Sequence, residues 1–163
     1  MLKKTINRNR LLGILFLLLF IPASVSYAVD APEFWISNID GKRFDSREYK
    51  GDIIISFFFV DCVPCKTEIP QLYKMVKDEN LNIRLLFIDP IADDSKSSIA
   101  EFAGIRKVPT DFFYHDSIGI LSQKFFQSNF KFPTIVGIRN GKIVFEVNDL
   151  EKESLSKIRK AFR

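Results

Sequence analysis

Two cysteines stand where a buried strand gives way to an amphipathic helix, and that junction constrains the chain more than any other feature. Ile53 to Val60 is a nearly continuous apolar run. Its length and bulk suit a central strand covered on both faces. From Val63 to about Asp78 the pattern changes: Ile69, Leu72, Tyr73 and Val76 recur at three and four, the buried stripe of a helix. Pro70 falls inside that helix and predicts a kink. Between strand and helix lies Cys62-Val63-Pro64-Cys65, which holds the only two cysteines of the 163 residues.

The junction has chemical consequences. A helix N-terminus presents unpaired N–H groups and the positive end of the dipole. Both stabilise a thiolate, lower its pKa and make it a nucleophile near neutral pH. The placement predicts an exposed, activated thiol pair. A purely structural bridge gains little here, because closing a loop over two intervening residues barely constrains the unfolded chain. A zinc site needs four ligands at suitable spacing, and one CxxC with the lone His115 cannot complete it within one chain. His115, beside Asp116 in a turn, reads as an exposed loop residue. A peroxidase-type cysteine would need a proline and threonine ahead of it, and Phe57 to Asp61 offer neither.

Residues 1–28 read as an export signal. Lys3, Lys4, Arg8 and Arg10 form a basic start, Leu11 to Ile21 an apolar run, and Pro22 breaks it before the small-x-small site Ser26-Tyr27-Ala28. The competing reading is an uncleaved membrane anchor, since no charge occurs between Arg10 and Asp30. Both readings place the domain at 29–163 outside the cytoplasm, in the periplasm or anchored facing outward. The formal charge of +4 comes entirely from the four basic residues of the signal. The rest is balanced and gives no electrostatic case for binding nucleic acid.

After the signal the chain shows no internal repeat. Phe34, Ile36 and Phe44 are strand positions around the turn at Asn38 to Gly41. Ile83 to Asp89 is a second buried strand, ended by Pro90. Asp94 or Ser95 caps a helix running to Phe102, with Gly104 as its stop. Asp111 to Tyr114 is a short strand and Ile118 to Phe126 a helix. Thr134 to Ile138 and Ile143 to Val147 form a hairpin through Asn140-Gly141. Leu150 to Phe162 closes as an amphipathic helix. Helices alternating with buried strands argue for a mixed sheet with helices on both faces.

Cys62-Val63-Pro64-Cys65-Lys66, with Pro70 eight residues after Cys62, resembles the thioredoxin signature. More narrowly, Cys62-x-Pro64-Cys65-Lys66-x-Glu68-x-Pro70 resembles the TlpA/ResA-type extracytoplasmic thioredoxins. Ala31-Pro32-Glu33-Phe34, Asp40-Gly41-Lys42, Tyr49-Lys50-Gly51 and Phe132-Pro133-Thr134 with Asn140-Gly141-Lys142 extend the likeness over nearly all of residues 31–163. The resemblance implies a thioredoxin-like α/β fold with an N-terminal β-hairpin and an extra strand and helix inserted at 90–128. It implies thiol–disulfide exchange on exported proteins, with Cys62 attacking and Cys65 resolving the mixed disulfide. It makes Pro133 the expected cis-proline, in preference to Pro109, with Phe132 offering backbone groups to an extended substrate by strand addition. It favours the reducing direction, including apocytochrome c haem-binding cysteines as clients and a membrane thiol transporter as electron donor. No cofactor beyond the Cys62–Cys65 pair is implied, and a monomer is expected.

Two positions depart from the family. Asp61 stands where tryptophan usually precedes the first cysteine; an adjacent carboxylate opposes thiolate formation and favours a reducing pair. Ser56 stands where thioredoxin carries a buried acid. Activation of the resolving thiol must then come from water, the helix or another acid, for which Glu68 is a candidate; its plainer reading is a solvated helix residue. The other readings are a non-catalytic binding or chaperone module using the same groove, and a Sco-like copper carrier. The latter family separates its cysteines by three residues, against two here.

Overall fold

The computed structural model describes residues 29–126 and 131–162, so the segment read as a signal or anchor lies outside the described residues. Among the described residues no helix is long and apolar enough to cross a membrane. The strands are β1 (Val29–Asp30), β2 (Trp35–Ser37), β3 (Arg43–Asp45), β4 (Asp52–Phe57), β5 (Ile83–Asp89), β6 (Phe113–His115), β7 (Thr134–Arg139) and β8 (Lys142–Val147). The helices are α1 (Cys65–Asp78), α2 (Lys96–Arg106), α3 (Ile120–Phe125) and α4 (Lys152–Phe162).

Six strands form one sheet in the order β1-β8-β7-β4-β5-β6, and β2 pairs with β3 in a separate hairpin. β4, β5 and β6 run parallel, and β7 is antiparallel to β4. β4 is central, as its unbroken apolar composition requires. Ile54 and Ile55 point to opposite faces and are both fully buried. Burying each contributes about 2 kcal/mol. Ile54, Leu85, Phe87, Phe113 and Ile135 face α1, α2 and α4. Ile53, Ile55, Phe57, Leu86 and Val136 face the β2–β3 hairpin and α3. Helices thus cover both faces, three on one side, and a short one beside the hairpin on the other.

Several boundaries differ from the sequence expectation, each for a local reason. β4 ends at Phe57 rather than Val60. Phe57 is paired with Thr134, and the next residue on that partner, Pro133, has no N–H to extend the ladder. α1 begins at Cys65 rather than Val63, with Pro64 entering at φ −63°, a value its ring already imposes. Pro70 sits inside α1, which continues unbroken to Asp78. Gly104 does not stop α2. The helix runs to Arg106, and Lys107 takes the left-handed turn at φ 57° that lets Val108 drop into the core. Ser95 is the N-cap, accepting from the Ser98 N–H while Ser98 returns the bond. Val29 and Asp30, to which the sequence pattern assigns no element, pair with Ile143 and Lys142 of β8.

Candidate active site

Where β4 ends, the chain is still hung on its neighbour: the Phe58 N–H donates to the Ile88 carbonyl at 3.0 Å. It then turns, the Cys62 N–H donating to the Phe59 carbonyl at 3.1 Å. Thr67 and Glu68 N–H groups close the first helical turn on the Pro64 carbonyl, each at 3.0 Å. Cys62 and Cys65 are joined in a disulfide with their Cα atoms 5.3 Å apart. The Cys65 N–H points at the Cys62 sulfur from 3.2 Å. One of the unpaired donors of a helix start is therefore aimed at the Cys62 sulfur, an arrangement that stabilises negative charge on a sulfur so placed.

The pair is not exposed, contrary to the expectation from its position. Cys62 is 2% accessible and Cys65 is fully buried. Both sulfurs pack into the cluster that contains Phe58, Ile69 and Leu72, because α1 lays its apolar stripe against the sheet from its first residue. Val63, 74% accessible, and its neighbours Asp61 and Pro64 form the outer surface of the motif. Ser56 is buried within β4 between Phe87 and Ile135 and brings no charge to the site.

The Phe132–Pro133 bond is cis. Pairing of Phe57 with Thr134 puts Pro133 at the end of the sheet from which the cysteine loop leaves. The Phe132 ring meets Phe59 edge-on with centroids 5.1 Å apart, so the proline segment and the cysteine loop touch through an aromatic pair. Thr134 is anchored beneath, its hydroxyl donating to the Lys131 carbonyl at 2.6 Å and accepting from the Asn148 amide at 2.8 Å. Pro109 has no cis bond and leads into a 3-10 turn at Thr110–Phe112.

Glu68 is not a solvated helix residue. It is half-buried, and one carboxylate oxygen is buried without a hydrogen-bond partner. Burial pushes its carboxyl up; the Leu150 N–H opposes this, and the charges of Asp149 and Glu151 add to the rise. His115 is likewise not in an exposed loop. It lies in β6, half-buried, with its Nε2 3.0 Å from the Ile91 carbonyl. Asp116 is buried and accepts both the N–H and the hydroxyl of Ser122, at 2.8 and 2.6 Å. Among the described residues no three His, Cys, Asp or Glu side chains gather into a metal-holding group.

Two acids at this end of the sheet have no site role in the sequence pattern, where Asp89 is a strand end and Asp94 an alternative helix cap. Asp89, the last residue of β5, is fully buried. Burial pushes its carboxyl up to about 8; Asp94 beside it adds to the rise, and the N–H groups of Ile91 and Val60 oppose it. Asp94 also accepts the Val60 N–H at 3.2 Å. No local sequence pattern marks them: Asp89 reaches the level of the cysteine loop through the register that pairs Phe57 of β4 with Ile88 of β5.

No family model matches the chain. A stretch of 64 residues is 34% identical to the thiol-disulfide oxidoreductase ResA of Bacillus subtilis, covering 37% of this chain and 36% of that protein. The match therefore spans about a third of that relative's length. A thiol:disulfide interchange protein of the thioredoxin family from Chlorobium tepidum superposes with a TM-score of 0.70, at 19% identity, over 83% of this chain and 97% of its own. A secreted disulfide oxidoreductase of Mycobacterium tuberculosis, described as homologous to E. coli DsbE, superposes with a TM-score of 0.65, at 16% identity, over 78% of this chain and 95% of its own.

Proposed function

We propose that this chain, which belongs with the thioredoxin-like thiol–disulfide oxidoreductases, reduces disulfides in exported proteins outside the cytoplasm. The observation that carries the reading is the Cys65 N–H directed at the Cys62 sulfur from 3.2 Å, at the start of a fourteen-residue helix. It stabilises charge on the sulfur that must attack.

In the reduced form, Cys62 as thiolate attacks one sulfur of a client disulfide. A mixed disulfide forms and the client's other sulfur leaves as a thiolate, which takes up a proton. Cys65, losing its proton, then attacks the Cys62 sulfur. The second client thiol is released and the Cys62–Cys65 bridge re-forms. Two electrons pass to the client in each cycle, so a dithiol donor, such as a membrane thiol transporter, must restore them. The segment at Phe132 and Pro133 offers an extended client its backbone pairing, and the exposed Val63 an apolar landing surface. The adjacent Asp61 disfavours the thiolate and so favours a reducing pair. Apocytochrome c haem-binding cysteines are the client class that the resemblance of the cysteine motif to TlpA/ResA-type proteins implies.

The equilibrium reduction potential of the Cys62/Cys65 pair tests the direction. A value near roughly −270 mV fits a reductase; one near roughly −120 mV would mean a disulfide donor and remove the cytochrome reading. Cysteine variants test the chemistry. Cys62→Ser abolishes exchange and traps nothing, whereas Cys65→Ser accumulates mixed disulfides visible on non-reducing gels. Full biological function in both variants would show instead a binding module with an incidental bridge.

A further inference from the structure

Asp89 and Asp94 lie outside the cysteine motif, yet both reach the loop that carries it. Asp89 Oδ1 accepts the Ile91 N–H at 2.9 Å. Its Oδ2 is buried and meets no donor among the described residues. Asp94 stands within hydrogen-bonding reach of it. Two ionised carboxylates facing each other in a buried place repel strongly; one proton between them turns the contact into a hydrogen bond. That proton also supplies the partner Oδ2 lacks.

Beyond the N–H groups of Ile91 and Val60, the surroundings offer no other remedy. From β6, His115 turns its ring to the Ile91 carbonyl, and Asp116, just beyond, directs its carboxylate to Ser122. Neither Asp89 nor Asp94 forms an ion pair among the described residues. Asp61, the remaining acid of the loop, is exposed. On the other side, Asp94 Oδ2 accepts the Val60 N–H, two residues ahead of Cys62. Together with the Phe58 N–H on Ile88, this bond ties the cysteine loop to the end of β5.

We propose that Asp89 and Asp94 share a single proton and act as a positioning pair for the cysteine loop, coupling the pair's charge to the redox state of Cys62 and Cys65. The benefit of the coupling rests on the thiol–disulfide reading; the coupling itself needs only the cysteine pair. Reduction by two electrons and one proton leaves a thiolate on Cys62 and a thiol on Cys65. The new negative charge makes the pair hold its proton more tightly. By reciprocity, loss of that proton makes the Cys62 thiolate harder to form. It also sets the charge of half-buried Asp94 against that of buried Asp89, which turns Asp94 away from the Val60 N–H.

The test is a carboxyl-carbon NMR titration of the full chain, oxidised and then reduced with dithiothreitol. Asp89 should titrate near pH 8 in the oxidised protein, and higher by roughly half a pH unit or more in the reduced one, as like charges require. Asp89→Asn should remove that transition and turn the Cys62 thiolate absorbance curve into a single step. An equal midpoint in both redox forms, or aspartates that all titrate in the ordinary carboxylate range, overturns the proposal. If Asp89→Asn does not fold, the comparison of redox forms in the unmutated protein decides alone. A midpoint shift without exchange on protein disulfides sinks the oxidoreductase reading and leaves the pair standing; exchange without a shift does the reverse.

Discussion

The two ends of the central sheet treat their acids in opposite ways. At the end away from the cysteines, acids meet bases. Asp52 pairs with Arg139 at 2.9 Å and Asp30 with Lys142 at 2.9 Å, and in the separate β2–β3 hairpin buried Asp45 pairs with both Arg43 and Arg47 at 2.9 and 2.6 Å. At the cysteine end, acids meet acids. Asp89 faces Asp94, and Glu68 sits against Asp149 and Glu151. Asp45 and Asp89 are both buried, yet the Arg47 guanidinium holds the first well below the usual carboxylate range while desolvation lifts the second to about 8. Burial alone does not decide ionisation; the partner does. One end is built to keep its charge, the other to keep a proton.

The sharpest way to break this contrast is a stability measurement against pH. The Asp89 carboxyl sits far above its ordinary 3.8, so the folded protein holds a proton that the unfolded chain has released. Stability should fall as pH rises from about 5 to about 8, by on the order of 1 kcal/mol per pH unit, then level off. Asp89→Asn should flatten that decline in urea unfolding at pH 5, 7 and 9. A decline of the same slope in the variant would place its cause elsewhere.

Asp45→Asn should act at the opposite extreme. The stability that Asp45 contributes is present above its ordinary value and lost as pH falls through its depressed one. The variant should therefore melt lower than the parent at pH 7, and the gap should close toward pH 2. Both arginines are more than half exposed, so the gap should also shrink in high salt. A salt-independent gap would mean that packing, not charge, is what Asp45 provides.

Glu68→Gln should have the smallest effect. It relieves an unpartnered buried oxygen and two neighbouring like charges, on a group that solvent still screens. A gain below about 1 kcal/mol at neutral pH is expected from thermal melts. A loss would show that the carboxylate is satisfied in a way its geometry does not reveal.

Much of this architecture is legible in the chain, for reasons that can be named. The apolar run at Ile53 and the three-four spacing after Val63 set strand and helix, because burial on two faces and on one stripe leaves different patterns. The hairpin through Asn140-Gly141 was visible because both residues adopt positive φ there. Local pattern does not carry the depth of Cys62, since the cluster that buries it is completed by residues distant in sequence, such as Phe113 and Ile135. Nor does it carry the meeting of Asp89 with Asp94 and Val60, which depends on two parallel strands ending level. In sequence Asp89 is a strand end before Pro90 and Asp94 a helix-cap candidate. Their contact belongs to the tertiary fold.

β6 is the outermost strand beside β5, and it is three residues long. It stops at Asp116, whose carboxylate is spent on Ser122. A long, flat row of unpaired backbone groups is what a foreign chain needs to stack onto a sheet and start an aggregate. Here the row is three residues long, and it is covered by the antiparallel bridge from Asn38 to Tyr114 and by the Ile39 N–H, which donates to the Phe113 carbonyl at 2.9 Å. Crowded among unfolded chains, the β6 edge offers them no template.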